Sequence, residues 1–324
     1  MIVKNEVENL RACLESVRGM VSQVVVADTG STDGTVEIAR EGGAEVFSVA
    51  WENDFAKARN AALAAMTTDW VLVLDADEEL DPAAGQRIPA LLERMDMGGY
   101  IVPIRNYLSV KYGRNYDRVA QPNDHRIARA RNAPAYAEHE YCRLFRRHPE
   151  ICFEGCVHEV VEHRVLATGL KLGRANFMIH HFGQLANHER IERKRRWYHD
   201  LARIKVQERP NDSSAWIELG MQEYENLAKY EEALRCFERA LALNPNERRV
   251  WTFIGIINVE LGRYREALMA FHRAEGARYG DGLREQFRGD ALHNLGYLKD
   301  ARQAYRKALK LSGPEPGVES KLGY

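Results

Sequence analysis

Two aspartates placed one residue apart are the side chains best suited to chemistry in this sequence. Asp75 and Asp77 directly follow 71–74, a run of four apolar residues that predicts a strand buried on both faces. Asp81 and Pro82 then supply an N-cap residue and a proline at the first helical position, so we expect a helix to follow. Open α/β sheets bind ligands at the carboxyl ends of parallel strands, and carboxylates there can hold a divalent cation against a phosphate.

A turn that follows an upstream strand is the second polar feature. Residues 24–27 form another apolar run, and 28–35 contains glycines and small hydroxyl residues. Such residues favour a tight turn with available backbone N–H groups, and a helix that starts near Thr35 adds further N–H groups. We therefore expect a polar crevice beside the ends of both strands.

Short apolar runs and helical patterns alternate over residues 1 to about 105. This alternation predicts an α/β domain whose sheet is mostly parallel, with helices on both faces. The chain begins inside the first strand, so either the true start lies upstream or this strand is only about three residues long. Residues 106–140 show no clear period and predict a long loop or an irregular insertion. The predicted strands are 1–3, 24–27, 44–49, 71–74, 100–104, 142–146, 151–153 and 177–181, and the predicted helices are 7–18, 35–42, 54–66 and 82–95.

An all-helical pattern starts near residue 185. Residues 188–207 predict one charged helix with an apolar stripe. A unit with a period of 34 residues then recurs, which is the tetratricopeptide signature. Gly220 comes one residue early, so we expect an insertion in the turn between the helices of the first repeat. The recurring small and aromatic residues are Ala233, Phe237 and Ala240, then Ala267, Phe271 and Ala274, then Ala301, Tyr305 and Ala308.

Domain boundaries follow from these patterns. We predict an α/β domain at 1–185, a linking helix at 186–210, three tetratricopeptide repeats at 211–313 and a tail at 314–324. Each repeat is a helix pair that buries its apolar face only against its neighbours, so the repeats should stack as a solenoid.

Composition limits the class of protein. The chain has 324 residues, 45% of them hydrophobic, and a formal net charge of −1, which is typical of a globular protein and argues against nucleic acid as the main partner. No apolar run approaches the roughly 18 residues that a membrane span needs. Five cysteines without framework spacing favour reduced thiols and a cytoplasmic location.

The motifs of the first 185 residues resemble those of family 2 glycosyltransferases with the GT-A fold, a Rossmann-like fold. The resemblance is greatest to the cytosolic branch that carries C-terminal tetratricopeptide repeats. Some members of that branch glycosylate peptides, and relatives of the catalytic domain add sugars to lipopolysaccharide core. The segments that carry the resemblance are 1–6, 28–35, 51–55, 58–60, 74–78, 143–146 and 155–159.

The resemblance implies inverting transfer of a sugar from a nucleotide diphosphate sugar, with Mg²⁺ or Mn²⁺ bridging the diphosphate that leaves. We expect Asp77 to bind the cation directly and Asp75 to bind the ribose or a metal-bound water. Asp28 would contact the nucleotide base, and Arg59 would contact the base or a phosphate. The backbone of Val3 and the side chain of Lys4 would line the base pocket.

An inverting enzyme needs a base that takes the proton of the acceptor. Glu159 is our candidate for this base, because its position matches the later acidic motif of the family. Glu138 and Glu140 are the rival candidates. The alternative for Glu159 is a simple ion pair with Arg143 or Arg164. His181 is our candidate for the remaining metal ligand, ahead of His180 and His158, and a structural histidine is the alternative.

Two further segments allow more than one interpretation. Trp51 could stack on a sugar, although packing of Trp51 and Phe55 around a helix start capped by Asp54 is the stronger interpretation. The basic segment 105–147 could receive an acidic or phosphorylated acceptor, or could be a solvated loop.

The sequence also allows functions of other classes. One alternative is a scaffold, in which the repeats bind a peptide and the α/β domain is catalytically inert. A nucleotidyltransferase is a weaker hypothesis, because no glycine- and arginine-rich loop follows Val3. The sequence leaves open the sugar, the acceptor class (peptide, lipid or glycan), the oligomeric state and whether the repeats bind the acceptor, bind a protein partner or form a dimer interface.

Overall fold

The computed structural model describes residues 1–110, 114–115, 118–124, 127–155, 159–185, 188–225, 227–277, 280–313 and 315–322. The chain forms two compact units. One comprises Met1–Lys111 with Gln121–Ala186, and the other comprises Tyr112–Ala120 with Asn187–Tyr324. The domain boundaries named above stay predictions.

Strands are found mainly in the first unit. They are β1 (Ile2–Val3), β2 (Val25–Asp28), β3 (Glu45–Ser48), β4 (Trp70–Leu72), β5 (Glu78–Leu80), β6 (Met97–Leu108), β7 (Arg114–Asn115), β8 (Arg118–Val119), β9 (Gln121–Pro122), β10 (Ala135–Arg146), β11 (Lys171–Arg174) and β12 (Ile179–His181).

Helices alternate with the first strands and then form the whole C-terminal part. They are α1 (Leu10–Ser16), α2 (Thr35–Glu41), α3 (Phe55–Ala64), α4 (Ala84–Leu92), α5 (Glu162–Ala167), α6 (His188–Glu208), α7 (Ser213–Glu225), α8 (Tyr230–Leu243), α9 (Arg248–Glu260), α10 (Tyr264–Arg273), α11 (Asp281–Asn294), α12 (Leu298–Ser312) and α13 (Pro316–Leu322), with short 3₁₀ turns at Ala128–Ala130 and Gly183–Leu185.

The first three strands form a parallel sheet in the order β1-β2-β3, and they match three of the predicted strands to within a residue or two. A larger mixed sheet has the order β4-β10-β6-β12-β5, with β11 paired to β6 and β9 paired to β10. The strand that leads to the two aspartates, β4, pairs antiparallel with β10. We expected a parallel strand beside β4, so that expectation was wrong.

The long β6–β10 pair corrects one expectation. Residues 106–140 were expected to lack regular structure, yet β6 continues to Leu108 and β10 begins at Ala135. The period-2 pattern of burial is present in 135–140, but the buried positions are occupied by two small alanines and a histidine, so no strong apolar alternation is visible there. Residues 151–153 are another correction, because Ile151 and Phe153 are buried in the core without forming a strand.

The helix after the aspartates also begins later than expected. Residues 78–80 form β5, which pairs with β12, and α4 follows only at Ala84. The carboxylate of Asp81 accepts the N–H of Ala83 at 2.7 Å, so Asp81 caps the turn before the helix. At α3 the expectation is confirmed: Asp54 caps the helix through the N–H of Lys57, and Trp51 and Phe55 pack edge to face at 4.9 Å.

The second unit contains the repeats as helix pairs, α7–α8, α9–α10 and α11–α12. The recurring alanines and aromatics are all buried. In each pair, a glycine of the first helix lies against the aromatic ring of the second, and a Cβ on Gly220, Gly255 or Gly289 would lie 2.7, 2.3 or 2.4 Å from that ring. The rings belong to Phe237, Phe271 and Tyr305.

The expected insertion in the first repeat stays a prediction, because residue 226, which follows α7, lies outside the described residues. Residues 261–263 and 295–297 separate the helices of the next two pairs. Gly262 and Gly296 have positive φ in those turns, and Ala228 in the first repeat is also left-handed, with a φ of +49°, although it is not a glycine.

Candidate active site

The turn that carries the two aspartates is fixed from two directions. The N–H of Phe182, directly after β12, donates to the carbonyl of Asp77 at 3.0 Å. The thiol of Cys13 on α1 donates to the carbonyl of Asp75 at 3.3 Å. Between the aspartates, Ala76 packs in one apolar cluster with Val3. The acidic motif therefore lies beside the end of the first strand.

Asp77 and His181 face each other. Asp77 Oδ2 lies 3.3 Å from His181 Nε2, and the side chains are 11% and 21% exposed. The next glycine, Gly183, keeps the space beside both atoms open, because a Cβ there would lie 2.7 Å from each. The carboxylate oxygen is a suitable donor for Mg²⁺ or Mn²⁺, and the imidazole nitrogen borders the same open space.

No group of three or more His, Cys, Asp and Glu side chains with metal-binding geometry occurs among the described residues. Two protein donors still fit Mg²⁺ or Mn²⁺, because Mg²⁺ sites commonly combine one or two carboxylates with water and substrate phosphates.

Asp75 is held by two arginines. Its carboxylate accepts from Arg59 Nη2 at 2.7 Å and from Arg143 Nη2 at 3.3 Å. Burial acts against the charged form, but the positive charges of Arg59 and Arg143 outweigh it and hold the pKa of Asp75 below its ordinary range. Asp75 is therefore an anion with a fixed orientation at neutral pH.

Arg59 joins Asp75 to Glu159. Its Nε donates to Glu159 Oε1 at 2.5 Å, and its guanidinium carbon lies 5.7 Å from the ring centre of Phe153. The third nitrogen, Nη1, is buried and makes no hydrogen bond within the described part of the chain. Arg59 thus orients two carboxylates of the site.

Glu159 has a partner that the sequence did not indicate. It pairs with Arg59, whereas Arg143 pairs with Asp75 and Glu78, and Arg164 pairs with Glu154. The Glu159 side chain is 11% exposed.

The two rival glutamates lie on the other face of the sheet. Glu138 is opposite Arg105 in the register and accepts a hydrogen bond from it, and Glu140 follows two residues later and pairs with Arg174. Side chains alternate along a strand, so both glutamates point away from the face that carries Asn106 and His181. The rival histidine His180 also lies on that other face and bonds to Tyr107, and His158 lies outside the described residues.

Glu78 and Arg143 are site residues that the sequence analysis did not assign. Arg143 Nη2 donates to Glu78 Oε1 at 3.0 Å, and Glu78 Oε2 accepts the N–H of Asp75 at 2.8 Å. Burial raises the pKa of Glu78, against the opposing charge of Arg143. Both residues belong to motif segments quoted above, which was the available signal, but their contact spans 65 positions and has no local pattern.

The upstream turn is built largely by its own side chains. The carboxylate of Asp28 accepts the N–H groups of Gly30 and Ser31 at 3.3 and 3.1 Å. The hydroxyl of Thr29 donates to the carbonyl of Val3 at 3.0 Å, while Lys4 is exposed beside it. Val3 is paired with Asp28 in the sheet, so the predicted base-pocket residues do lie together.

Arginines of the basic segment are neutralised locally. Arg105 binds Asp124 and Glu138 and lies 3.9 Å from the ring centre of Tyr136, and Arg129 binds Glu79. These pairs reduce the support for an acidic acceptor at this segment.

Comparison with known proteins matches the two parts of the chain separately. Residues 1–152 match the model of glycosyl transferase family 2. Residues 214–247 match a tetratricopeptide repeat, and residues 254–323 match a tetratricopeptide repeat-like domain.

Some related proteins are named for tetratricopeptide repeats, and others are named as glycosyltransferases. A TPR repeat-containing protein of Synechococcus elongatus is 37% identical over 167 residues, which are 52% of this chain and 36% of the relative. The SPbeta prophage-derived glycosyltransferase SunS of Bacillus subtilis is 24% identical over 246 residues, which are 74% of this chain and 52% of the relative. The chain thus spans about half or less of the length of these relatives.

A solved structure of MamA from Desulfovibrio magneticus is 20% identical over 42% of this chain and 79% of that chain, with a TM-score of 0.37, which is too low for any structural inference. No helix within the described residues is long and apolar enough to cross a lipid bilayer.

Proposed function

We propose that this chain, whose residues 1–152 match the model of glycosyl transferase family 2 and whose C-terminal part matches tetratricopeptide repeats, transfers a sugar from a nucleotide diphosphate sugar to an acceptor, with inversion and with a divalent cation. The acceptor group is a hydroxyl or a thiol. The observation that supports the cation site is the pair Asp77 Oδ2 and His181 Nε2, 3.3 Å apart beside the space that Gly183 leaves open.

Asp77 and His181 would hold Mg²⁺ or Mn²⁺. When bound, the cation supplies positive charge that stabilises the diphosphate as it leaves. Asp75 remains ionised between Arg59 and Arg143, and we assign it the ribose hydroxyls or a metal-bound water. Because its carboxylate is already oriented, little ordering is needed when the nucleotide binds.

We assign the nucleotide base to the crevice formed by Val3, Lys4 and Asp28. The carboxylate of Asp28 already orders the turn through the N–H groups of Gly30 and Ser31, so Asp28 would shape the crevice as well as contact the base. Arg59 would contribute through its charge near the base or a phosphate.

Glu159 is our candidate for the base. Arg59 holds its Oε1. A carboxylate held at one oxygen can accept the acceptor's proton at the other.

The repeats would bind the acceptor or a protein partner, since stacked helix pairs form extended binding surfaces. The acceptor itself would be a peptide, a lipopolysaccharide core or another glycan. The described cysteines Cys13, Cys142, Cys152 and Cys236 are free thiols, which supports a reaction in the cytoplasm.

A panel of nucleotide sugars, assayed for hydrolysis with and without EDTA, tests this function. We expect turnover of at least one donor that needs Mg²⁺ or Mn²⁺ and is lost in Asp77→Ala. Asp69→Ala is the matched control, since it removes an exposed carboxylate at the start of the same strand. Turnover that survives both EDTA and Asp77→Ala would refute the metal-dependent mechanism. Inactivity with every donor, together with tight peptide binding, would favour the catalytically inert scaffold.

A further inference from the structure

Asn106 links the candidate cation ligand His181 to a second buried histidine. It lies on β6, beside His181 of β12 in the register, and opposite Ala137 of β10. Its Oδ1 lies 2.6 Å from His181 Nδ1, and its Nδ2 lies 3.0 Å from His139 Nδ1. Asn106 is half-buried and His139 is buried.

The surroundings of the Asn106 amide determine its orientation. Two backbone carbonyls, those of Ile104 and Ala137, lie 3.4 and 3.3 Å from Nδ2. Carbonyl oxygens only accept hydrogen bonds, so the amide nitrogen, which only donates, belongs on their side. The amide oxygen is therefore on the side of His181.

This orientation determines which nitrogen of His181 carries a proton. An amide oxygen only accepts, so His181 Nδ1 must donate to it. In the neutral ring the proton is then on Nδ1, and Nε2, which lies 3.3 Å from Asp77 Oδ2, presents its lone pair. By the same reasoning Nδ1 of His139 accepts from the amide, so a neutral His139 carries its proton on Nε2.

We propose that Asn106 is a positioning residue for the cation, because it holds His181 in the tautomer whose Nε2 can bind a metal beside Asp77. The cation part of this inference rests on the proposed function, whereas the tautomer part does not. Metal-bound histidines commonly donate their other N–H to a fixed acceptor, and loss of that acceptor weakens metal binding by roughly 10–100-fold.

Nitrogen-15 NMR of the metal-free full-length protein at pH 8.5 tests the tautomer, with His181→Gln identifying the signal. We expect the Nδ1–H form in the wild type and in Asn106→Asp, whose carboxylate also accepts. Asn106→Leu removes the amide oxygen that accepts from Nδ1, so the proton should move to Nε2, where Asp77 can accept it. A wild-type proton on Nε2, or a tautomer unchanged in Asn106→Leu, would overturn the inference.

Mn²⁺ affinity in the presence of UDP, GDP, CDP or dTDP, measured by electron paramagnetic resonance, tests the consequence. We expect Asn106→Leu to weaken Mn²⁺ binding by roughly 10–100-fold, and Asn106→Asp to stay within about tenfold of the wild type. Asn123→Leu is the control for a structural defect. Asn123 is a buried asparagine of the same unit that donates to the carbonyls of Ala130 and Ala133, both at 2.8 Å, so its loss should change stability but neither the tautomer nor the affinity.

The two measurements separate the possible failures. A wild type that binds no Mn²⁺ with any of these nucleotides contradicts the proposed function and the cation part of the inference, whereas the NMR result on the tautomer stands by itself. If Asn106→Leu binds Mn²⁺ as tightly as the wild type does, the positioning role of Asn106 is overturned and the proposed function remains intact.

Discussion

The repeats of the second unit and the candidate site of the first unit are held together by different kinds of contact. In the repeats, a glycine and an aromatic ring of the same helix pair meet, and the contact recurs in each pair. In the first unit, the site is a chain of buried charges, and its Arg59–Glu159 pair joins residues 100 positions apart. Local apolar packing therefore builds the repeats, and long-range charge pairing builds the site.

This difference predicts how each unit responds to substitution. A buried ion pair that loses one partner leaves a charge without compensation, which costs more than most changes in apolar packing. The repeats should instead respond to changes in side-chain volume at the glycines.

The largest effect is expected from Arg143→Met. Arg143 and Glu78 have side chains that are 14% and 3% exposed, so the variant leaves Glu78 and Asp75 short of a counter-charge. We expect a loss of about 3–5 kcal/mol in the free energy of unfolding of the first unit, measured by urea unfolding.

Arg174→Met is the matched control for that loss. Arg174 is also paired with a glutamate in the first unit, but its side chain is 70% exposed, so its removal should cost about 0–1 kcal/mol. Equal losses in the two variants would contradict the claim that buried charge pairing distinguishes the site.

Gly255→Ala tests the packing of the repeats. The added Cβ would lie 2.3 Å from the ring of Phe271, and we expect the overpacking to cost about 1–3 kcal/mol in urea unfolding. Adding Phe271→Leu should recover part of that loss. Gly317→Ala, where a Cβ meets nothing within 4 Å, should not destabilise. A Gly255→Ala protein as stable as the wild type would refute the close glycine–ring contact.

Gly183→Ala should affect binding more than stability. Its Cβ would fill the space beside Asp77 and His181, so we expect Mn²⁺-dependent nucleoside diphosphate binding to weaken roughly tenfold or more, about 1.4 kcal/mol. Gly85→Ala, whose Cβ would meet only the flexible end of Met20, is the control. Calorimetric titration measures the nucleoside diphosphate affinity of both variants. Unchanged affinity in Gly183→Ala would mean that the space is not used by the cation.

The smallest effect is expected at Ala228. Ala228 has a φ of +49° at the position where later turns place Gly262 and Gly296. Ala228→Gly removes left-handed strain of about 1–2 kcal/mol and adds an entropy cost of about 0.5–1 kcal/mol, so a gain near 0.5 kcal/mol is expected in thermal unfolding. Gly262→Ala should have the opposite sign, and destabilisation by both would contradict the assignment of strain.

The sequence predicted the repeats almost residue by residue, because a 34-residue period places the same contact in each unit. It also predicted the early strands and the Asp54 cap, which depend on neighbouring residues. It missed the regular structure at 135–140, where two alanines and a histidine at the buried positions do not give a strong apolar signal.

The site was predictable only in part. The aspartates and His181 follow strands, so their place at strand ends could be inferred from the pattern. The pairing of Glu159 with Arg59, the Arg143–Glu78 pair and the role of Asn106 depend on which strands are neighbours. No local pattern contains that information, because β10 and β6 bring together residues far apart in the chain.

Calorimetric titration of UDP, GDP, CDP and dTDP into wild type, Asp77→Ala and Asp69→Ala, each with Mn²⁺ and with EDTA, tests the central claim most directly. The account predicts that at least one nucleotide binds the wild type and Asp69→Ala only when Mn²⁺ is present, and that Asp77→Ala does not bind it. Nucleotide binding that is equally tight in EDTA and in Asp77→Ala would contradict the claim that Asp77 and His181 hold a cation for the diphosphate.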